Sequence, residues 1–431
     1  MSLLLKNLHI IAPHHTDAIS GEFTRNAVVD IAIDNGIFVA IGNGIAAQYE
    51  HTEGYITRDY AGCYASIGFA DLGTHIGEPG YEQRETITSA TRAALRGGFT
   101  TLAVAPNTNP VLQTKVGIEY LRSRSKGIEL LPIAALTHHT KGKTLTEMYD
   151  LHTAGTNAFG DGIHPIADAG VLMRALLYVR PFGGVVFNQP HDDTIAGRGQ
   201  MHEGIQSTLN GMRGAPALAE YVMAVRDIEL CDYTEGRLHL HCISAAETVD
   251  AVRKAKARGL QVTASVAVAN LIFTDNDLHT FDTNYKTFPH LRTNDDRHAL
   301  CEGLRDGTID CIVTNHTPLE QEVKLLEFDY AAYGITMLET AFAASWQALK
   351  STLSLEVFVE KWTTAPRRIL SIPEPRLAVG ATANLTIFDT TTHWVYDHTH
   401  RESLATNSPL IGSTLCGKVR EVVVGNTVTV W

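Results

Sequence analysis

Short apolar runs alternate with amphipathic stretches through the middle of the chain, from Ile67 to about Leu370. Runs of this length, bounded by turn residues, are typical of buried strands, and the stretches between them have helical periodicity. We predict eight strands, at Ile67–Asp71, Phe99–Ala105, Leu130–Leu136, Asn157–Gly160, Gly184–Asn188, Arg237–Cys242, Gln261–Val266 and Asp310–Thr314. Eight strand-then-helix units indicate a closed parallel barrel, whose functional residues lie at the carboxyl ends of the strands.

One of the intervening stretches shows the helical pattern clearly. We predict a helix from Ser244 to Arg258, with Ser244 and Glu247 as a capping box and Gly259 as the stop. Its apolar positions recur on one face, at Val249, Val252 and Ala255.

The two ends of the chain have a different pattern. Residues 1–60 and 376–431 alternate polar and apolar positions between turn residues, which predicts strands at Val28–Ile33, Phe38–Ile41, Asn384–Phe388 and Val419–Val424. We therefore predict one small β-sandwich domain built from both termini, beside a (β/α)8 barrel domain of residues 61–375.

Composition limits the classes of function. The chain has 431 residues, 44% of them hydrophobic, and a net charge of −12, which argues against a nucleic-acid or anionic-membrane surface. Its six cysteines have no paired spacing, and we find neither a leader pattern nor a long apolar segment. We expect a cytoplasmic protein whose partners are small molecules or other proteins.

The end of the first barrel strand carries the most informative motif, Asp71-Leu72-Gly73-Thr74-His75-Ile76-Gly77-Glu78-Pro79-Gly80. Further strings follow in order, at Pro106–Pro110, Asp168–Leu176, Asp282–Lys286, Leu291–Thr293, Glu302–Asp310 and Asn407–Gly412. Taken together, they resemble the dihydroorotase branch of the amidohydrolase superfamily over more than 300 residues. The resemblance implies a metal-hydrolase barrel that opens cyclic amides in pyrimidine biosynthesis.

The first motif lacks most of the chemical groups that this resemblance implies. The family has two metal-binding histidines and a carboxylate-binding arginine here, and this chain keeps only His75, with Gly73 and Gly77 at the other positions. Glycine offers neither a metal ligand nor a charged fork for a carboxylate.

Later family positions are altered as well. The paired-aspartate turn retains one carboxylate, Asp161; the fifth-strand histidine is Asn188; and the sixth-strand histidine aligns with Cys242. In this register His241 points toward the opposite face of its strand, although a slip of one residue would turn it inward. The alignment at Asn188 and at Cys242 stays open.

The eighth strand loses the group that moves the proton. The family's threonine-aspartate-histidine turn is present as Thr314-Asn315-His316, and the amide of Asn315 cannot accept the proton of an attacking water. Two substrate-facing positions become aromatic: Phe288 replaces an asparagine, and Tyr333 lies in the loop that reads Ala331-Ala332-Tyr333-Gly334.

The retained polar residues also have structural interpretations. His75 alone is more typical of a hydrogen-bonded remnant, Asp161 of a tight turn, and Cys242 of a small buried side chain. Asn107 and His316 are vestigial candidates for substrate contact, and the pairs His14-His15 and His138-His139 have no metal-binding spacing.

Three hypotheses remain. The first is a pseudoenzyme, a structural or regulatory subunit that assembles with an aspartate transcarbamoylase-like partner or with itself and has no catalytic residues, metal or cofactor. The second is an active cyclic-amide hydrolase with an altered zinc centre drawn from His75, Asp161 and Cys242, with His316. The third is a binding module that senses a small ligand in the barrel mouth.

Overall fold

A computed structural model describes residues 2–11 and 27–431, so His14 and His15 lie outside the described residues. The described residues form these strands: β1 Ser2–Ile10, β2 Val28–Asp34, β3 Ile37–Gly42, β4 Tyr55–Asp59, β5 Tyr64–Ser66, β6 Phe69–Thr74, β7 Phe99–Val104, β8 Glu129–Pro132, β9 Ala158–Phe159, β10 Val185–Asn188, β11 Met201–His202, β12 Gly214–Ala215, β13 Leu238–Leu240, β14 Val262–Ala267, β15 Cys311–Val313, β16 Asn384–Val395, β17 Thr414–Val424 and β18 Thr427–Val430.

The α-helices in the same ranges are α1 Ala46–Tyr49, α2 Ile87–Gly97, α3 Lys115–Ser123, α4 Met148–Thr153, α5 Ala169–Val179, α6 Asp193–Ala196, α7 Ile205–Leu209, α8 Leu218–Thr234, α9 Ala246–Ala257, α10 Val268–Ile272, α11 Asn294–Arg305, α12 Ala341–Leu349, α13 Leu355–Trp362 and α14 Thr364–Leu370. Short 3₁₀ helices cover His138–Thr140, Arg180–Phe182, Asp275–Thr280, Thr283–Tyr285 and Gln321–Val323. None of the helices described is long and apolar enough to span a bilayer.

Eight parallel strands close into a barrel. β6, β7 and β8 form one sheet, and β9, β10, β13, β14 and β15 form another. Parallel bridges from Ala134 to Phe159 and from Thr74 to His316 join the two sheets. All eight predicted barrel strands are confirmed, with ends that differ by a few residues.

The barrel interior is apolar along most of its length. Side chains from successive strands fill it in one cluster that includes Leu72, Ala103, Val185, Phe187 and Val313. A larger apolar layer packs the outer faces of the strands against the helices. The interior is therefore a filled core rather than a channel.

Both termini contribute to the β-sandwich domain, as predicted. Its strands pair in the order β18-β17-β16-β5-β1-β2-β3, and β4 pairs with β1. β5, at Tyr64–Ser66, pairs with β16, which extends this sheet past residue 60. Buried residues such as Leu3, Ile31, Phe38 and Leu385 form its core.

The predicted capping box on the helix after the sixth strand is wrong. α9 begins at Ala246, and its N-cap residue, Ala245, makes no side-chain capping bond. Ser244 instead donates its backbone N–H to Glu220 at 2.8 Å, and its hydroxyl also bonds that carboxylate. Ser244 is therefore bonded to a buried carboxylate of α8. The local sequence around Ser244 does not reveal this partner. The apolar face is confirmed, because Val249, Val252 and Ala255 are buried.

Candidate functional site

A cavity of about 640 Å³ opens at the carboxyl ends of the barrel strands. Its lining includes His75, Asn107, Gln189 and Asn315, each close to the end of a strand or in the loop that follows it. Its volume lies within the usual range for small-molecule sites, roughly 300–1,000 Å³. This is the location at which a barrel of this kind places its functional residues.

Backbone atoms occupy the space beside Gly77. A Cβ atom at Gly77 would lie 2.1 Å from the carbonyl oxygen of Tyr81 and 2.7 Å from that of Glu85. At Gly73 a Cβ atom would lie 3.0 Å from Cβ of Val313 and 3.1 Å from the backbone nitrogen of Asn315. The loop has therefore closed over the position of the arginine, and the histidine position is tightly packed.

Asp161 is turned toward its neighbouring loop. Its carboxylate accepts the backbone N–H of Thr137 at 2.9 Å and also the hydroxyl of that threonine. Burial raises the pKa of Asp161, and the bonds from Thr137 act in the opposite direction. The carboxylate ties two barrel loops together.

Asn188 uses both ends of its amide within the scaffold. Its Nδ2 donates to Asp227 at 2.6 Å, and its Oδ1 accepts the backbone N–H of Ile166 at 2.9 Å. Asn188 is buried, and burial raises the pKa of Asp227 to about 6.

The prediction that His241 points to the opposite face is wrong. Leu238 and Leu240 pack in the outer layer, so strand alternation turns His239 and His241 inward. The two rings lie 4.4 Å and 6.0 Å, respectively, from the ring of Phe187, measured between centroids. Cys242 follows with a φ of 53°, which breaks the alternation and places its side chain in the interior cluster as well.

Cys242 behaves chemically as a buried apolar side chain. Burial raises its pKa well above the ordinary value for a thiol, and Asp71 acts in the same direction. In the absence of a metal, this environment therefore favours the thiol over the thiolate.

The eighth-strand turn is bonded to its surroundings. Nδ2 of Asn315 donates to the carbonyl oxygen of Phe288 at 2.8 Å. His316 is fully buried, and its Nδ1 accepts the backbone N–H of Met337 at 3.1 Å. Its Nε2 lies 3.5 Å from a carboxylate oxygen of Glu85. His316 therefore links three segments of the scaffold.

Asn107 is likewise engaged by backbone groups. Its Nδ2 donates to the carbonyl oxygen of Asp161 at 3.1 Å, and its Oδ1 accepts the N–H of Ile163 at 3.2 Å. It lines the cavity while fixing the loop after β9.

Two imidazoles directly follow barrel strands, His75 after β6 and His241 after β13. Burial lowers the pKa of His75 to about 4, with a further contribution from His316. Burial also lowers the pKa of His241 to about 3, with a further contribution from His75. Both rings are neutral at physiological pH.

The residues present do not fit the metal centre that the family resemblance implies. Within residues 2–11 and 27–431, no three His, Cys, Asp or Glu side chains are arranged to hold a metal ion. His75, Asp161 and Cys242 are not assembled into one group, because Asp161 bonds Thr137 and Cys242 lies in the apolar interior. Zinc sites in proteins use three or four protein ligands.

Four rings that the sequence did not group together form one side of the cavity: His191, Phe288, His290 and Tyr333. We call them the aromatic wall. Ring centroids are 4.8 Å apart for His191 and Phe288, 5.7 Å for Phe288 and His290, and 5.5 Å for His290 and Tyr333. The departures from the family pattern at Phe288 and Tyr333 were the available signal, but the fold alone brings the four rings together.

Solved structures share this architecture. L-Hydantoinase (dihydropyrimidinase) from Arthrobacter aurescens matches with a TM-score of 0.84 and 21% identity over 99% of this chain and 96% of that chain. A D-hydantoinase structure matches with a TM-score of 0.82 and 19% identity over 100% of this chain and 95% of that chain. The fold is that of a (β/α)8 barrel with a β-sandwich built from both termini.

Sequence comparison then specifies the family. The model of the "Dihydro-orotase-like" family matches residues 65–248. A protein named dihydroorotase from Thermoanaerobacter sp. (strain X514) is 39% identical over 402 residues, covering 92% of each chain. Another of that name from Syntrophus aciditrophicus (strain SB) is 38% identical over 423 residues, covering 97% of each. The chain belongs to the dihydroorotase family.

Proposed function

We propose that this chain is a dihydroorotase-type protein of pyrimidine biosynthesis that has lost metal-dependent hydrolysis and acts as a structural or regulatory subunit. The relatives named dihydroorotase support the placement in pyrimidine biosynthesis. The loss of hydrolysis rests on the residues of the site, and no comparison points to it.

One observation carries the proposal: the groups at the family's chemical positions are bonded to the scaffold and do not converge on one point in the cavity. Asp161, Asn188 and His316 each form a hydrogen bond to a neighbouring segment of the scaffold. A bound metal lowers the pKa of water from about 15.7 to about 7, and a positioned acid–base group contributes roughly 10²- to 10⁴-fold in rate. Asn315 and the missing ligands remove both contributions.

Retention of the scaffold supports a role that depends on the folded surface. Asn407 lies in one of the strings shared with the family, and it bonds the backbone of Thr317, Leu319 and Gly334. The chain therefore retains side chains that hold the loops, although it lacks the family's metal ligands and proton-transfer group. We propose an aspartate transcarbamoylase-like subunit or a second copy of the chain as the partner.

Turnover tests the proposal directly. Dihydroorotate hydrolysis is measured for the purified full-length chain, with and without added zinc, beside the Thermoanaerobacter relative as a positive control. We expect no rate above the uncatalysed reaction for this chain. Zinc-dependent hydrolysis within 100-fold of the control would overturn the proposal.

Association is a separate experiment. The chain is co-expressed with the aspartate transcarbamoylase of the same genome, and the affinity-purified material is analysed by size-exclusion chromatography with light scattering. We expect a stable complex with that subunit or a homo-oligomer. A monomer under all of these conditions would contradict the structural-subunit role.

A second candidate is an active cyclic-amide hydrolase with a single-zinc centre. Identity of 38–39% to proteins named dihydroorotase over nearly the whole chain favours it. His75 and His241 are neutral and able to bind a metal, but they need further ligands that Asp161 and Cys242 do not provide in this arrangement. The turnover experiment decides between the two candidates.

A further inference from the structure

The cavity retains features of a binding site even though the groups for hydrolysis are missing. Phe288 and Tyr333, the two aromatic departures from the family pattern, are half-buried and line the cavity. Aromatic rings in such positions offer flat apolar faces against which a ligand ring packs.

Gln189 provides an independent sign of a ligand. Its side chain is 6% exposed and lines the same cavity. Its Nε2 is buried and has no hydrogen-bond partner among the described residues. A buried donor without a partner costs roughly 1–3 kcal/mol, so a ligand acceptor that reaches Gln189 would relieve that penalty.

Charges of both signs lie around the aromatic wall. Nζ of Lys286 lies 4.7 Å from the centroid of the Tyr333 ring and donates to Oε1 of Gln200 at 2.7 Å. His290 faces Arg292, His191, His202 and Lys286, and its pKa is lowered well below the ordinary value, first by burial and then by these groups. Arg292 is paired with Glu220, and the carboxylate of Asp193 also lines the cavity, so charges of both signs surround a guest at the wall.

A carboxylate guest would lack a free guanidinium partner among the described lining residues. Among the lining residues described, Arg84 carries a guanidinium, and its Nε lies 2.5 Å from the carboxylate of Glu320. Gly77 occupies the position at which the family resemblance implies a carboxylate-binding arginine. The cavity therefore lacks a free charged fork for an anionic group.

We propose that the aromatic wall and Gln189 bind an uncharged, planar, conjugated nitrogen heterocycle bearing a carbonyl group, in preference to its puckered, saturated analogue. This inference rests on the proposed function, because it assigns a ligand to the same cavity. The ring packs against Phe288 and Tyr333, and its carbonyl oxygen accepts the N–H of Gln189. Selection for flatness reverses what a dihydroorotase substrate requires, since that substrate has a saturated ring.

The test compares two probes of equal size, uridine and 5,6-dihydrouridine, by isothermal titration calorimetry on the full chain. We expect uridine to bind at least 10-fold more tightly, because only its ring is flat. Equal affinity for the two nucleosides, or no uridine binding at millimolar concentration, would overturn the inference.

Variants locate the binding site. Phe288→Ala is expected to weaken uridine binding roughly 10-fold, in keeping with the effect of removing one base-stacking ring. Phe288→Tyr keeps the ring and is expected to retain binding. Gln189→Leu removes the donor and is expected to weaken uridine binding by a smaller factor.

Tyr330→Ala is the matched control, because Tyr330 is 76% exposed and lies three positions from Tyr333 in the same loop. Far-ultraviolet circular dichroism confirms that each variant is folded. Unchanged uridine affinity in folded Phe288→Ala and Gln189→Leu would overturn the assigned site. A chain that fails to bind uridine and also fails to hydrolyse dihydroorotate would refute this inference while leaving the proposed function standing.

Discussion

A buried carboxylate in the barrel scaffold and a buried amide at the barrel mouth are used in different ways. In the scaffold, Glu220 accepts the backbone N–H groups of Ser244 and Ala245 and pairs with Arg292 at 3.1 Å. In the mouth, Gln189 keeps a buried donor without a partner among the described residues. The carboxylate of Glu220 is used to hold chain segments together, whereas the unpartnered donor of Gln189 belongs to a residue that lines the cavity. The difference separates a residue used for folding from one that is available to a ligand.

The largest expected effect is on the scaffold. Glu220→Ala removes the partner of a buried arginine, and we expect a loss of about 3–5 kcal/mol in the free energy of unfolding, measured by urea denaturation. Arg253→Gln breaks a surface pair with Asp306, whose side chains are 43% and 40% exposed, and should cost no more than about 1 kcal/mol. Similar losses in the free energy of unfolding for Glu220→Ala and Arg253→Gln would show that the buried carboxylate contributes no more than a surface ion pair.

Restoring the family's arginine at position 77 should destabilise the barrel mouth without restoring hydrolysis. The Cβ of Gly77→Arg would collide with the carbonyl oxygen of Tyr81, and we expect a loss of about 1–3 kcal/mol from the forced backbone shift. Dihydroorotate hydrolysis should remain absent. A stable Gly77→Arg variant that hydrolyses dihydroorotate would show that the arginine position is still open.

Acid should destabilise the protein partly through His75. Its pKa in the folded state is about 4, below the ordinary value of 6.5, so the unfolded chain takes up a proton first as the pH falls. Stability from this group is complete above about pH 6.5 and is lost as the pH falls toward 4. We expect urea midpoints of His75→Gln to fall less steeply than those of the unmodified chain over this window. If the urea midpoints of the two proteins fall in parallel over this pH window, His75 is not the group responsible for the loss of stability.

The smallest effect concerns thiol reactivity. Cys242 is buried and its pKa is raised well above 9.0, whereas Cys63 is partly exposed. We expect a thiol-specific reagent to label Cys63 in the native protein and Cys242 only after unfolding, as read by peptide mass spectrometry. Rapid native labelling of Cys242 would indicate an accessible thiolate at the barrel mouth.

Much of the fold could be predicted from the sequence because its signals are local. Alternating apolar runs located all eight barrel strands, and the periodicity at Val249, Val252 and Ala255 located the buried face of α9. The start of that helix was missed because its serine bonds Glu220, which lies 24 positions earlier in the chain.

The site was less predictable because its geometry depends on contacts between distant segments. Alignment placed Cys242 at a ligand position, but the left-handed backbone at that residue and the inward turn of His241 became clear only from the packing of Leu238 and Leu240. The aromatic wall draws on residues 191, 288, 290 and 333, which no local pattern connects.

Metal stoichiometry tests the central claim most directly. The purified full chain is dialysed against buffered zinc, and its metal content is measured by plasma mass spectrometry beside His75→Ala. The account predicts well under one zinc ion per chain and no difference between the two proteins. One or more zinc ions per chain, lost in His75→Ala, would contradict it.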